Sequence, residues 1–315
     1  MRLVFAGTPE PAVVALQKLI DSEHEIVAVL TQPDARRGRG RTLHPSAVAE
    51  LAEQHGIEVL KPTSLKADTE DGQAIRTRLA ELAPDCLPVV AYGQLITKDL
   101  LDFAPHGWVN LHFSLLPAWR GAAPVQAAIR EGDQLTGATT FRIDEGLDTG
   151  VILNVLEDKI LDTDTADDLL TRLAYSGGDL LVDTMTGLEN GTITPQPQEG
   201  EATYASKITT QDAQIDWSRP AEVIDRHVRA HTPGPGAWTT LLYARLKVGP
   251  LSLAGEAEAH VALEPGAIKA EKNAVLVGTG TTPVVLGQIQ PPGKKMMNAA
   301  DWARGVQLDQ EAKFQ

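Results

Sequence analysis

Residues 1–31 read MRLVFAGTPE PAVVALQKLI DSEHEIVAVL T, and their pattern decides the predicted fold. Arg2–Ala6 and Glu25–Thr31 are apolar runs of strand length. Glu10–Ile20, between them, carries apolar residues at helical spacing. A strand, a helix and a second strand in this order predict two parallel strands with a helix packed on their sheet.

The same alternation continues along the first half of the chain. Helices are predicted at Pro45–His55, Ile75–Leu82 and Pro124–Arg130, and strands at Glu58–Leu60 and Cys86–Ala91. This order indicates an α/β domain whose largely parallel sheet is covered on both faces. Ligands of such sheets bind beyond the carboxyl ends of the strands, so we expect the site in the turns that follow them.

A change of composition near residue 190 predicts a domain boundary. Two more predicted strands and a long helix precede it, and we expect this helix to be broken or bent near Gly177-Gly178. Residues 191–205 are polar and rich in proline and glycine, which predicts a linker. One helix and several short strands follow, which favours a small β-barrel domain. We therefore predict a catalytic α/β domain over residues 1–190 and a β-rich domain over residues 206–315. The elements behind this prediction are Ala138–Ile143, Val151–Val155, Thr165–Glu189, Pro220–Ala230, Trp238–Leu242, Leu246–Val248, Ala267–Glu271, Ala274–Gly278 and Val284–Gln290.

The bulk composition is that of an ordinary enzyme. The chain has 315 residues, of which 43% are hydrophobic and 22% are charged. A single cysteine, Cys86, excludes an internal disulfide framework and fits a reducing compartment. The N-terminal apolar run is too short for a signal peptide, and no later run approaches membrane-spanning length. We expect a cytoplasmic enzyme without a membrane segment.

Positive charge is concentrated in one short stretch of this otherwise acidic chain. The net charge of −14 argues against a protein that coats nucleic acid without specificity. Residues 34–41, however, place Arg36, Arg37, Arg39 and Arg41 among glycines. Such a stretch is either a solvated loop or the place where the chain meets a polyanion.

Asn110-Leu-His112 is the strongest candidate for chemistry. On an extended strand, residues two apart point to the same face, so an oxyanion donor and a proton carrier would share one pocket. The same pair also fits a structural strand end, in which the histidine bonds to backbone groups. The long connection after it, through Ser114-Leu-Leu-Pro117 and Arg120, favours ligand contact.

Asp148 is the carboxylate best placed to complete this set. It lies in Asp144–Gly150, a segment that also fits an acidic hairpin turn. No G-x-S-x-G is present and Cys86 lies in an apolar run, which disfavours a covalent acyl-enzyme. No G-x-G-x-x-G follows the first strand, so no nicotinamide cofactor is expected. His227 and His231 lie four apart, but the H-E-x-x-H pattern is absent and no metal is predicted.

The motifs resemble those of the methionyl-tRNA formyltransferase family over nearly the whole chain. Asn-x-His, Ser-Leu-Leu-Pro and Asp-Thr-Gly are shared with folate-dependent formyltransferases in general, whereas the arginine loop and the later motifs favour the tRNA enzymes. The matching segments are Phe5–Glu10, Thr31–Asp34, Gly38–Gly40, Val90–Gly93, Asn110–His112, Ser114–Pro117, Trp119–Pro124, Gly146–Gly150, Tyr204–Ile208, Ile215–Trp217, Pro235–Ala237 and Gln290–Lys295.

This resemblance implies a Rossmann-like formyltransferase domain followed by an OB-like β-barrel. It implies 10-formyltetrahydrofolate as formyl donor and methionyl initiator tRNA as acceptor. Independently of the resemblance, we expect a monomer and no metal. The resemblance also implies roles for individual residues. Asn110, His112 and Asp148 take the catalytic positions. Folate contacts fall on Ser114, Leu115, Leu116 and Pro117, and tRNA contacts on Arg36, Arg37, Arg39 and Arg41.

Three points stay open at this stage. Either His112 or Asp148 can be the proton acceptor. A nucleotide-linked amino sugar is an alternative acceptor, but it would not need the arginine loop. A catalytically silent RNA-binding protein is an alternative class, but the intact set of Asn110, His112 and Asp148 argues against it. Phe113 departs from the family, which usually has a small residue there.

Overall fold

A computed structural model of the chain describes residues 1–37, 42–306, 308 and 312–315. The chain forms two compact units, neither of which is continuous in sequence. Residues 191–204, most of the predicted linker, belong to the first unit. The domain boundaries at 190 and 206 stay a prediction. The first unit comprises Met1–Gly121, Leu135–Lys159 and Leu170–Tyr204; the second comprises Ala122–Gln134, Ile160–Leu169 and Ala205–Gln315.

The strands up to residue 205 follow the predicted alternation, with additional short ones. In chain order they are β1 (Arg2–Gly7), β2 (Glu25–Leu30), β3 (Ala35–Arg37), β4 (Thr42–His44), β5 (Glu58–Leu60), β6 (Leu87–Val90), β7 (Trp108–His112), β8 (Arg120–Gly121), β9 (Leu135–Arg142), β10 (Ile152–Lys159) and β11 (Tyr204–Ala205).

Seven of these strands form the central sheet, in the order β10-β9-β7-β6-β1-β2-β5. The five strands from β7 to β5 run parallel, and β9 and β10 continue the sheet antiparallel at one edge. Residues 3–6 of β1 are fully buried because side chains cover both faces of the sheet. The predicted largely parallel α/β sheet is confirmed.

The helices up to residue 189 are α1 (Glu10–Ile20), α2 (Ala47–Gln54), α3 (Glu70–Leu82), α4 (Lys98–Leu101), α5 (Pro124–Glu131) and α6 (Ala166–Glu189). Helix α3 begins five residues before its predicted start at Ile75. Its first turn is stabilised by Thr69, whose side-chain oxygen accepts a hydrogen bond from the Gly72 amide at 3.0 Å.

The predicted bend of the long helix is wrong, because α6 is continuous through both glycines. A Cβ on Gly177 would lie 3.2 Å from Leu111 and 3.4 Å from Phe113. A Cβ on Gly178 would lie 3.2 Å from the side chain of Lys18. The two glycines therefore let α6 approach its neighbours closely, and Gly177 makes room for Phe113.

The second unit carries the antiparallel strands of the C-terminal region. Its later elements are α7 (Ala221–Ala230), β12 (Trp238–Leu241), β13 (Ala244–Val248), β14 (Leu251–Leu253), α8 (Glu256–Ala259), β15 (Ile268–Ala270), β16 (Val275–Val277), β17 (Val284–Leu286), β18 (Gln288–Gln290), β19 (Met297–Asn298) and α9 (Ala299–Gly305). The strands form two four-stranded antiparallel sheets, β12-β13-β18-β19 and β14-β17-β16-β15. The predicted β-rich C-terminal region is confirmed.

The single strand predicted at Val284–Gln290 is two strands that belong to different sheets. Gly287 separates β17 from β18, and a Cβ there would lie 2.5 Å from the Pro250 carbonyl oxygen. The chain bends at this close approach and passes from one sheet to the other. Across the residues that the structure describes, no helix has the length and apolar character that a membrane crossing requires.

Candidate active site at the carboxyl ends of the central strands

The carboxyl ends of β1, β6 and β7 meet at one edge of the sheet. The chain runs outward on one side through β1, β2 and β5 and on the other through β6 and β7, so the strand order reverses between β1 and β6. The Thr8 hydroxyl, just after β1, donates to the Tyr92 carbonyl oxygen after β6 at 2.8 Å. Parallel α/β sheets bind ligands at such a reversal.

Asn110 and His112 lie on β7 and project from the same face of the strand. Asn110 is partly exposed, and no described residue hydrogen-bonds to its side-chain amide. His112 is 6% exposed and lies edge-on to the Phe141 ring, with centroids 6.4 Å apart. The two side chains therefore share one face of β7, as the two-residue spacing predicts.

The hydrogen bonds of His112 define which of its nitrogens can accept a proton. Its Nε2 lies 2.9 Å from the Trp119 carbonyl oxygen, which can only accept, so Nε2 carries a hydrogen. In the neutral ring Nδ1 is then a bare lone pair, and it lies 3.8 Å from Oδ2 of Asp148. The two acceptors are too far apart for a direct hydrogen bond, and a group that carries two hydrogens, such as an amine or a water, can donate one to each.

Burial keeps this imidazole neutral. Loss of solvation lowers the pKa of His112 below its ordinary value, while the Asp148 charge and the Trp119 carbonyl oppose that shift. Burial has the largest effect, so the pKa of His112 is lowered. The side chain is therefore uncharged at neutral pH and able to accept a proton. By contrast, burial raises the pKa of the Cys86 thiol to about 12, which removes it as a nucleophile.

Asp148 holds the loop that follows β7 as well as facing His112. Its Oδ2 accepts a hydrogen bond from the Gly121 amide at 2.7 Å, joining segments 27 residues apart. Asp148 has φ of +53° and Trp119 has φ of +57°, both in the left-handed region. Such backbone conformations cost about 1–3 kcal/mol each and are concentrated at functional sites.

The sequence did not identify Gln198 as a site residue. Its side chain holds the turn that carries Asp148 against the loop after β7. Its side-chain amide donates to the carbonyl oxygens of Asp148 and Gly150, at 2.8 and 2.9 Å. Its Oε1 accepts from the Arg120 guanidinium at 2.6 Å. Gln198 lies in the segment predicted as a linker, where the composition gave no sign of a site residue.

We expect Gln198→Ala to lower catalytic turnover about 10- to 100-fold, because the turn that carries Asp148 loses its anchor. The loss should appear in kcat more than in KM if the residue positions the reacting groups. Gln198→Glu is the matched variant: it still accepts from Arg120 but cannot donate to the two carbonyls. Full activity in Gln198→Glu would show that the bonds to Asp148 and Gly150 are dispensable.

The predicted folate segment forms a tight loop after β7. The Ser114 hydroxyl is buried and donates to the Ala118 carbonyl oxygen at 2.5 Å. The hydroxyl of Thr139 donates to the Ser114 carbonyl oxygen at 2.7 Å and accepts from the Leu116 amide at 3.2 Å. Leu116 is buried, whereas Leu115 and Pro117 are partly exposed and can reach a ligand.

The arginine stretch is only partly described. Arg36 is exposed on β3, and β3 pairs with β4 in a hairpin that the sequence did not predict. Arg37 is the last residue of β3. Arg39 and Arg41 lie outside the described residues, so their predicted contacts with tRNA stay a prediction.

His227 and His231 lie together on the second unit. Their ring centroids are 4.3 Å apart, and neither buried Nε2 atom has a hydrogen-bond partner among the described residues. Burial lowers the pKa of both side chains, that of His227 to about 4. No group of three or more histidine, cysteine or acidic side chains within the described part of the chain is arranged to hold a metal ion.

Comparison with known proteins gives the class of this chain. Residues 1–185 match the family model described as formyl transferase, and residues 207–307 match formyl transferase, C-terminal domain. Methionyl-tRNA formyltransferase of Corynebacterium glutamicum (strain R) is 89% identical over 315 residues, which is 100% of both chains. The chain belongs to the methionyl-tRNA formyltransferase family, as its motifs predicted.

Solved structures agree with this fold. Methionyl-tRNA formyltransferase from Clostridium thermocellum aligns with a TM-score of 0.55 at 18% identity, over 81% of this chain and 94% of that one. WlaRD, a sugar 3N-formyl transferase crystallised in the presence of dTdp and 5-N-Formyl-THF, aligns with a TM-score of 0.67 at 19% identity, over 94% and 99%. At these identities the likeness concerns the fold alone.

Proposed function

We propose that the protein transfers a formyl group from 10-formyltetrahydrofolate to the α-amino group of methionyl initiator tRNA, for translation initiation. The observation that carries this proposal is the 89% identity, over the full length, to a methionyl-tRNA formyltransferase. The juxtaposition of Asn110, His112 and Asp148 at the sheet edge supports the chemistry, because it supplies an oxyanion donor and a proton acceptor.

The reaction follows from these groups without a covalent enzyme intermediate. The amine nitrogen attacks the formyl carbon, and the carbonyl oxygen becomes an oxyanion to which the Asn110 amide donates. The proton leaving the amine passes to the His112 Nδ1 and Asp148 carboxylate pair. The bond between carbon and folate N10 then breaks, and N10 takes that proton as tetrahydrofolate leaves.

The donor binds, in this proposal, against the loop that contains Ser114, Leu115, Leu116 and Pro117. The partly exposed Leu115 and Pro117 offer apolar surface to the folate. The buried Ser114 and Leu116 fix the loop through their bonds to Ala118 and Thr139. WlaRD was crystallised with a related formylated folate, which supports a folate donor for this fold.

In this proposal the tRNA acceptor binds to a short segment of the chain in which positive charge is concentrated. We propose that Arg36, Arg37, Arg39 and Arg41 contact the tRNA and that residues 206–315 form a tRNA-contacting domain. An enzyme of net charge −14 needs such a local patch, because the rest of its surface repels polyanions. We further propose that the protein acts as a monomer in the cytoplasm and requires no metal.

A transfer assay tests this function directly. The protein is incubated with 10-formyltetrahydrofolate and, in parallel, with methionyl initiator tRNA, methionyl elongator tRNA or a nucleotide-linked amino sugar. We expect formylation of the initiator tRNA alone. Formylation of the sugar with none of the tRNA would overturn the proposal.

We expect Arg39→Gln to weaken tRNA binding and leave folate binding unchanged, since one phosphate contact is lost while the folate loop is intact. Loss of one contact should reduce the slope of log Kd against log salt by about 0.9. Kd values for both ligands, measured between 50 and 200 mM salt, check this. Lys66→Gln, which removes an exposed charge elsewhere, is the control. Equal weakening of both ligands would contradict the assignment.

A further inference from the structure

The hairpin of β12 and β13 turns through two large apolar residues. Leu241 pairs with Ala244, which leaves Leu242 and Tyr243 as a two-residue loop. These two side chains are 85% and 98% exposed. Nothing in the packing of the fold therefore requires a leucine and a tyrosine at this position.

The backbone of this turn disfavours the residues that it carries. Leu242 has φ of +49° and Tyr243 has φ of +65°, so both are left-handed. A two-residue hairpin loop with positive φ at both positions strongly prefers Asn-Gly or a similar pair. Bulky side chains in this conformation are outliers, and an outlier with no packing role points to a function at the tip.

Positive charge follows the tip along the same strand. Arg245 and Lys247 are exposed and lie two and four residues after Tyr243, an alternation that places both on one face of β13. The Arg245 guanidinium lies 4.0 Å from the centre of the Trp238 ring, and the Lys247 ammonium donates to the Pro235 carbonyl oxygen at 2.8 Å. Both cations are thus held on the hairpin.

The stretch of sequence around the hairpin contains no acidic side chain. Residues 226–255 contain no aspartate or glutamate, although the whole chain has 42 acidic residues among 315. The hairpin is therefore a local exception to a strongly acidic protein. An exposed aromatic ring followed by two cations is the combination that binds RNA, since the ring stacks on a base and the cations face phosphates.

We propose that the tip of the β12–β13 hairpin is an RNA contact at which Tyr243 stacks on a base of the tRNA while Arg245 and Lys247 face its backbone. This inference rests on the proposed function, because tRNA is its ligand. A protein partner is less well matched: two apolar residues flanked by cations are too small to form the apolar core of a stable interface.

The turn itself offers a variant that separates binding from folding. Leu242→Asn combined with Tyr243→Gly installs the preferred Asn-Gly turn, so we expect Tm to rise by about 2–4 °C. The same variant should weaken binding of an uncharged initiator tRNA transcript about tenfold, which is the loss of one stacked base. Tyr243→Phe keeps the ring and should bind as tightly as the wild type.

The salt dependence of tRNA affinity tests whether Arg245 and Lys247 face phosphates. Arg245→Gln and Lys247→Gln should each reduce the slope of log Kd against log salt by about 0.9, whereas Lys269→Gln, on β15, should leave it unchanged. An Asn-Gly variant with wild-type tRNA affinity would overturn this inference and leave the proposed function standing. A wild-type chain that binds no tRNA would overturn the proposed function, and this inference with it.

Discussion

Replacing Asn110 with alanine is expected to lower the formyl-transfer rate about 100- to 1000-fold, the usual effect of losing one oxyanion donor. The loss should fall on kcat, because the amide donates to a charge that develops only in the tetrahedral state. The side chain has no hydrogen-bond partner among the described residues, so its removal leaves no buried group unsatisfied. We therefore expect the free energy of unfolding to change by less than about 1 kcal/mol.

Single-turnover kinetics with saturating tRNA and folate measure this effect. The matched control is Asn154→Ala, on β10, which removes a partly buried asparagine from the same sheet. Among the described residues, the hydrogen-bond donor to its side-chain oxygen is the adjacent Val155 amide. The control should keep near wild-type turnover. Near wild-type turnover in folded Asn110→Ala as well would remove Asn110 from the catalytic assignment.

Replacing Asp148 with asparagine is expected to lower turnover about 100- to 10,000-fold, the range for a group that takes part in proton transfer. The substitution should preserve the fold, since asparagine tolerates the left-handed backbone conformation that Asp148 adopts. Its side-chain oxygen can still accept from the Gly121 amide. The change therefore removes the negative charge beside His112 and keeps the turn.

The pH profile of this variant decides which residue is the proton acceptor. The Asp148 charge raises the pKa of His112 against the lowering by burial, so its removal lowers that pKa further. If neutral His112 accepts the proton, activity falls as pH drops through its pKa, and the acidic limb moves to lower pH in the variant. If Asp148 is the acceptor, that limb disappears. An acidic limb at its wild-type position, with unchanged turnover, would exclude both roles.

The local sequence pattern was sufficient to predict those parts of the fold that depend only on residues close together in the chain. The strands of the parallel sheet were predictable because burial on both faces makes them continuous apolar runs, as in β1 and β2. The shared face of Asn110 and His112 followed from the two-residue period of a strand. The start of α3 was misplaced because its first turn is polar and depends on the Thr69 cap.

Features that depend on contact between distant segments were not predictable. Gly177 and Gly178 favoured a bend in sequence, but the space they provide for Phe113 and Lys18 explains them in an unbroken helix. Gly287 ends a strand because the Pro250 carbonyl, in the connection between β13 and β14, approaches it closely. Gln198 gave no signal, since its role arises only where the loop after β7 meets the Asp148 turn.

The sequence by itself therefore determined the alternation of strands and helices in the parallel sheet, the shared face of Asn110 and His112 and the family of the protein. Those properties reside in short motifs and in periodicities that any segment carries alone. Only the tertiary structure decided the free lone pair on His112, the second role of Asp148, the anchoring by Gln198 and the exposed turn at Leu242 and Tyr243. Each of these depends on which groups a side chain meets, or fails to meet, once segments far apart in the chain have packed together.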